Sequence, residues 1–112
     1  MTLTHLLAAA VATALAAPAF AQSPRLVMEE MMVPSEAGIE IYVRNKRPAD
    51  MTTFRPERTL LFVHGATYPA HAAFDLKLDG LSWMEYVAAR GYDVYLLDLR
   101  GYGKSTRPKE MD

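Results

Sequence analysis

Thr59-Leu-Leu-Phe-Val-His64-Gly65-Ala66, then Ser82-Trp-Met-Glu85, Arg90-Gly91 and Asp93-Val-Tyr-Leu-Leu-Asp98-Leu-Arg100-Gly101-Tyr-Gly103-Lys-Ser105, is the stretch that decides the fold. Leu60 to Val63 and Val94 to Leu97 are short apolar runs without alternation, which predicts parallel strands covered on both faces. Between them Ser82 and Glu85 have the spacing of a capping box. The hydroxyl accepts from the Glu85 amide while the carboxylate reaches back to Ser82. Gly91 suits the left-handed residue that closes a helix. Strand, helix, strand in that order is a crossover unit, so the class is α/β.

Working outward, Ile39, Ile41 and Val43 alternate with Glu40, Tyr42 and Arg44, the period of a strand with one wet face. Arg25 to Val33 is less regular, but Val27 and Val33 favour a strand. Pro34-Ser-Glu-Ala-Gly38 then reads as a hairpin loop between two antiparallel strands. Asn45 to Arg58 is polar, contains Pro48 and Pro56, and reads as an exposed connection. No internal repeat is present.

A strand that ends in His64-Gly65 delivers backbone amides to the carboxyl edge of a parallel sheet, where such sheets bind ligands. Glycine there permits a sharp turn and close approach. His64-Gly65-Ala66 and Asp98-Leu-Arg100-Gly101-Tyr-Gly103-Lys-Ser105, separated by a capped helix, together resemble the N-terminal part of an α/β-hydrolase. The resemblance covers Arg25 to Asp112. It implies that the Ala66 amide forms half of an oxyanion hole, one donor of which is worth about 3 to 4 kcal/mol in a transition state. It gives the second motif a chiefly structural role, with Gly101 and Gly103 permitting the turn and Asp98, Arg100 and Ser105 bonding loop backbone.

Other readings of the same residues fail on spacing. Gly103-Lys104-Ser105-Thr106 lacks a phosphate-loop glycine, because Asp98 stands where it is needed. A dinucleotide fingerprint would need glycine at Thr106. His64, His71 and Asp75 match no common zinc pattern, so neither a metal nor an organic cofactor is expected. Tyr68, His71 and Phe74 fall in a long loop from Ala66 to Gly80, which reads as a pocket wall or as plain surface. Trp83, Tyr86 and Val87 have packing spacing and read as core.

Acyl transfer on this fold needs a nucleophile on a Gly-x-Ser-x-Gly elbow, a histidine base and an orienting acid. None of Ser23, Ser35, Ser82 and Ser105 has glycine both two before and two after. His64 and His71 come too early to be the base. The expectation is therefore an N-terminal portion of a serine-type hydrolase of esters or related acyl substrates, inactive by itself and lacking nucleophile, acid and base. An aspartate nucleophile in the longer form would instead give dehalogenase or epoxide-hydrolase chemistry. Outside that class stands a non-catalytic binding domain or an inert gene remnant. The expected partner is a small-molecule substrate of the full-length form.

Composition narrows the setting. With 112 residues and a formal charge of -1, nothing calls for nucleic acid or an anionic membrane. There is no Cys, which removes disulfides and thiol catalysis. Met1 to Ala21 has no Asp, Glu, Lys or Arg, and its apolar run from Leu6 to Ala17 is too short to span a bilayer. Pro18 and Ala19-Phe20-Ala21 complete the pattern of a signal peptide cleaved before Gln22. Export to the periplasm or medium without a lasting membrane anchor follows as the expectation, with residues 22–112 as the mature portion.

Overall fold

A computed structural model describes residues 22–111; the expected signal peptide lies outside them. Strands β1 (Leu26–Glu36), β2 (Ile39–Pro48), β3 (Thr59–Val63) and β4 (Asp93–Leu97) form one mixed sheet. Their spatial order is β1-β2-β4-β3. β1 pairs antiparallel with β2, β2 pairs antiparallel with β4, and β3 pairs parallel with β4. Helix α1 (Ala70–Phe74) and helix α2 (Trp83–Ala88) lie between β3 and β4 in sequence. The α/β class, an antiparallel pair followed by a parallel β-α-β unit, is the architecture observed. No helix of the described residues is long and apolar enough to cross a membrane.

The local rules hold where side chains dictate them. Ser82 Oγ accepts the Glu85 amide at 3.0 Å, and Glu85 Oε2 accepts the Ser82 amide at 3.3 Å. Gly91, at φ 86°, ends the turn that follows α2. Register places Leu60, Phe62, Val94, Leu96, Tyr42, Arg44 and Lys46 on one face of the sheet, beneath the helices. There Tyr42, Ala70, Met84, Val87, Ala88, Val94 and Leu96 form the core, and Phe74 stacks on Phe62 at 4.6 Å.

Five local expectations are corrected. The hairpin loop is not Pro34 to Gly38: β1 continues to Glu36 through a register shift, leaving Ala37-Gly38 as the turn. The exposed connection does not begin at Asn45. β2 runs on to Pro48, with Asn45 and Lys46 buried because Asp93, Asp75 and Glu85 satisfy their polar ends. The parallel strands are not covered on both faces, since Leu61 and Val63 remain 54% and 49% exposed. The loop from Ala66 to Gly80 contains α1. Val87 is core as expected, but Trp83 and Tyr86 are exposed and stack on one another, because this short helix buries Met84, Val87 and Ala88 instead.

Candidate active site

The carboxyl ends of β3 and β4 bring the two motifs together. His64 is buried between them. Its Nε2 accepts the Leu99 amide at 2.8 Å, so the ring proton resides on Nδ1, which donates to the Gly65 carbonyl at 2.6 Å. Tyr102 lies against the imidazole with ring centroids 4.6 Å apart, and its hydroxyl donates to the Ala66 carbonyl at 2.9 Å. With both nitrogens engaged, His64 is an internal strut rather than a proton carrier. Gly65 and Ala66 are exposed, and among the described residues the Ala66 amide has no protein acceptor.

Asp98 secures the floor of this edge. Its side chain is fully buried, accepting the Ala70 amide at Oδ1 (2.8 Å) and the Lys104 amide at Oδ2 (3.0 Å). Gly103, at φ 50°, passes so close that an added Cβ would overlap Asp98 Oδ2 and stand 2.8 Å from Pro69 Cβ. Ser105 Oγ donates to the Asp98 carbonyl at 2.5 Å and accepts the Tyr42 amide at 2.8 Å. Gly101, at φ 83°, completes the turn, which Thr106 ties to Glu40 through its amide and hydroxyl. Among the described residues Arg100 does not bond loop backbone as expected: its guanidinium is half exposed and is drawn outward to the Glu36 carboxylate on the surface.

The remaining expected residues are scattered. Tyr68 is 65% exposed beside the turn, whereas Phe74 is packed on the core. His71 sits on α1 with Nδ1 3.5 Å from Asp98 Oδ2, too long for a well-made hydrogen bond. No group of three or more His, Asp or Glu able to hold a metal occurs among the described residues.

Sequence reasoning missed a charged network at the other end of the sheet. Lys46 Nζ bridges Asp75 Oδ1 at 2.7 Å and Glu85 Oε1 at 2.8 Å. Arg44 contacts Asp75 at 2.6 Å and Glu30 at 2.7 Å, while Ser82 Oγ donates to Asp75 at 2.6 Å. Burial pushes the Asp75 carboxyl up, but hydrogen bonds from Lys46, Ser82 and Arg44 outweigh it and hold the group below its ordinary range. The same contest, with Lys46 and Lys77 as partners, lowers Glu85. Burial, with Glu30 adding to it, raises Tyr42 to about 12. The network borders a cavity of about 530 Å³ lined also by Leu26 and Met28. Because Lys46 lies opposite Val94, at the start of β4, this cavity is remote from the edge that carries His64 and Ala66. The available signal was the shared parity of Tyr42, Arg44 and Lys46 with Glu30 across the hairpin.

No family model matches the chain, and no curated protein matches it. Among solved structures, a selenomethionine-labelled α-amino acid ester hydrolase matches with a TM-score of 0.50 at 17% identity. The match covers 75% of this chain, which spans 14% of that one. The likeness is one of fold, an α/β-hydrolase-like arrangement.

Proposed function

We propose that this chain supplies the oxyanion-binding edge of a serine-type hydrolase acting on esters or related acyl substrates. The Ala66 amide, unclaimed by protein acceptors at the carboxyl end of the parallel pair, is the observation that carries this reading. Developing negative charge on a substrate oxygen is what an amide so placed can stabilise. The fold likeness to an ester hydrolase supports the same class. Gly65, which approaches nothing within 4 Å where a Cβ would stand, leaves room for substrate on that side. His64 and Tyr102 are framework here. In this reading the protein is exported by its Met1 to Ala21 leader, and nucleophile, acid and base are contributed by sequence other than this chain.

The test is to translate the source DNA through and past the codon for Asp112, then assay the full product on activated aryl esters. A Gly-x-Ser-x-Gly elbow in frame, together with a drop of about 100- to 1,000-fold in kcat for Ala66→Pro, which deletes the amide proton, is the expected result. An aspartate at the elbow would move the reading to dehalogenase or epoxide-hydrolase chemistry. A binding domain without catalysis draws on the absence of an elbow around any of the four serines. A stop codon directly after Asp112, with no esterase activity in the product, would replace the hydrolase reading with that one.

A further inference from the structure

We infer that Tyr102 is a positioning residue for the Ala66 amide, acting jointly with the Nδ1-protonated His64. This rests on the oxyanion reading above and adds a device that holds the donor in place. In a planar trans peptide the carbonyl and the following N–H point in opposite directions, so fixing one fixes the other. His64 Nδ1 holds the Gly65 carbonyl at 2.6 Å, and the N–H of that peptide unit belongs to Ala66. Tyr102 holds the next carbonyl, that of Ala66, at 2.9 Å. The two peptide planes that flank Ala66 are therefore both tied down, one from each side.

The two ties are mechanically linked. The Tyr102 ring rests 4.6 Å from the imidazole, and the imidazole is locked in its tautomer by the Leu99 amide at 2.8 Å. Leu99 and Tyr102 both belong to the glycine turn after β4, while Gly65 and Ala66 follow β3. The glycine turn thus sets the direction of a backbone donor on the neighbouring strand. An amide on an exposed turn without such ties would sample many orientations and lose the preorganisation on which oxyanion stabilisation depends.

The sequence offers a clean probe, because Gly65-Ala66 is the only Gly-Ala pair in the chain. Carbonyl-¹³C glycine with ¹⁵N alanine therefore labels one peptide unit of the full chain. In Tyr102→Phe the Ala66 N–H order parameter is expected to fall from about 0.85 to below about 0.6, with an unchanged thermal melt. An unchanged order parameter would overturn the positioning role while leaving the oxyanion reading intact. Titration with methylphosphonate separates the two: a wild-type Ala66 signal that the anion does not move would sink the oxyanion reading, whatever Tyr102 does. Should Tyr102→Phe misfold, the unsubstituted chain still decides. Replacing the Tyr102 hydroxyl proton by deuterium is expected to shift the Ala66 carbonyl carbon, and no shift would refute the bond.

Discussion

Replacing Leu61 with Lys and Val63 with Glu tests whether the uncovered face of the sheet governs how this chain behaves in water. Both residues sit on β3 and point away from the helices, since their neighbours Leu60 and Phe62 pack on the core. They are 54% and 49% exposed, and register continues their face through Leu97, Tyr95, Val43, Ile41, Met31 and Val33. Complete burial of a Leu or Val side chain is worth about 1.5 to 3 kcal/mol. With half of each already shielded, roughly 1 kcal/mol per residue remains for any apolar cover to gain. Two residues then give about 2 kcal/mol per copy, roughly thirtyfold in an apparent association constant. Because neither side chain enters the core, the double variant should change intrinsic stability by only about 0.5 kcal/mol per site. The unsubstituted chain is expected to bind an apolar dye strongly and to self-associate in sedimentation velocity. The variant should lose most of the dye signal and shift to monomer. A wild-type monomer that melts sharply without binding dye would refute the reasoning, as would a variant that binds dye undiminished.

Two further outcomes are expected in that more soluble background. Lys46→Met should cost about 3 kcal/mol in urea denaturation at pH 7, the low end for a broken buried pair because Asp75 keeps Arg44 and Ser82. Asp75 and Glu85 titrate below their ordinary values of about 3.9 and 4.3 in the fold. Their contribution is complete above that range and disappears as pH falls through the lowered values, so the penalty should shrink below about pH 4. An equal penalty at pH 7 and pH 3 would contradict the network. Gly103→Ala should destabilise by more than about 2 kcal/mol, because a left-handed backbone costs about 1 to 2 kcal/mol and the new Cβ would also displace the buried Asp98 carboxylate. Gly38→Ala, at φ 77° with open space around it, isolates the backbone cost alone, and comparable melting shifts for the two would refute the Asp98 cradle.

What was legible in the sequence was what local chemistry determines. The capping box at Ser82 and Glu85 and the stop at Gly91 involve residues close in the chain, and each appears where its pattern put it. The alternation of Ile39, Ile41 and Val43 located the strand but not its wet face, since Tyr42 and Arg44 lie beneath the helices and Ile41 and Val43 on the uncovered side. Asn45 and Lys46 escaped notice because their burial depends on partners at Asp93, Asp75 and Glu85, dozens of residues away. A polar residue whose satisfaction is non-local looks like loop until the sheet is assembled. Trp83 and Tyr86 misled in the other direction, since large aromatic side chains suggest a core that smaller neighbours in fact supply. At the candidate site the motif residues were visible, but the hold of Tyr102 on the Ala66 carbonyl was not. It joins two turns that only the parallel pairing of β3 with β4 brings side by side.

The strand order carries a consequence for the order of synthesis. β4 is the last of the described strands to leave the ribosome, yet it occupies an interior position, with β2 on one flank and β3 on the other. The β1–β2 hairpin needs only its own residues and can form early. β3 must wait, because among the described residues it pairs with β4 alone. A nascent chain paused before Leu97 would hold the hairpin and a solitary β3 apart, with every ladder group of β3 open to chaperones or to neighbouring chains. Emergence of the Asp93–Leu97 segment is thus the event that converts separate pieces into one sheet, and any factor that must hold the chain unfolded has until then to engage it.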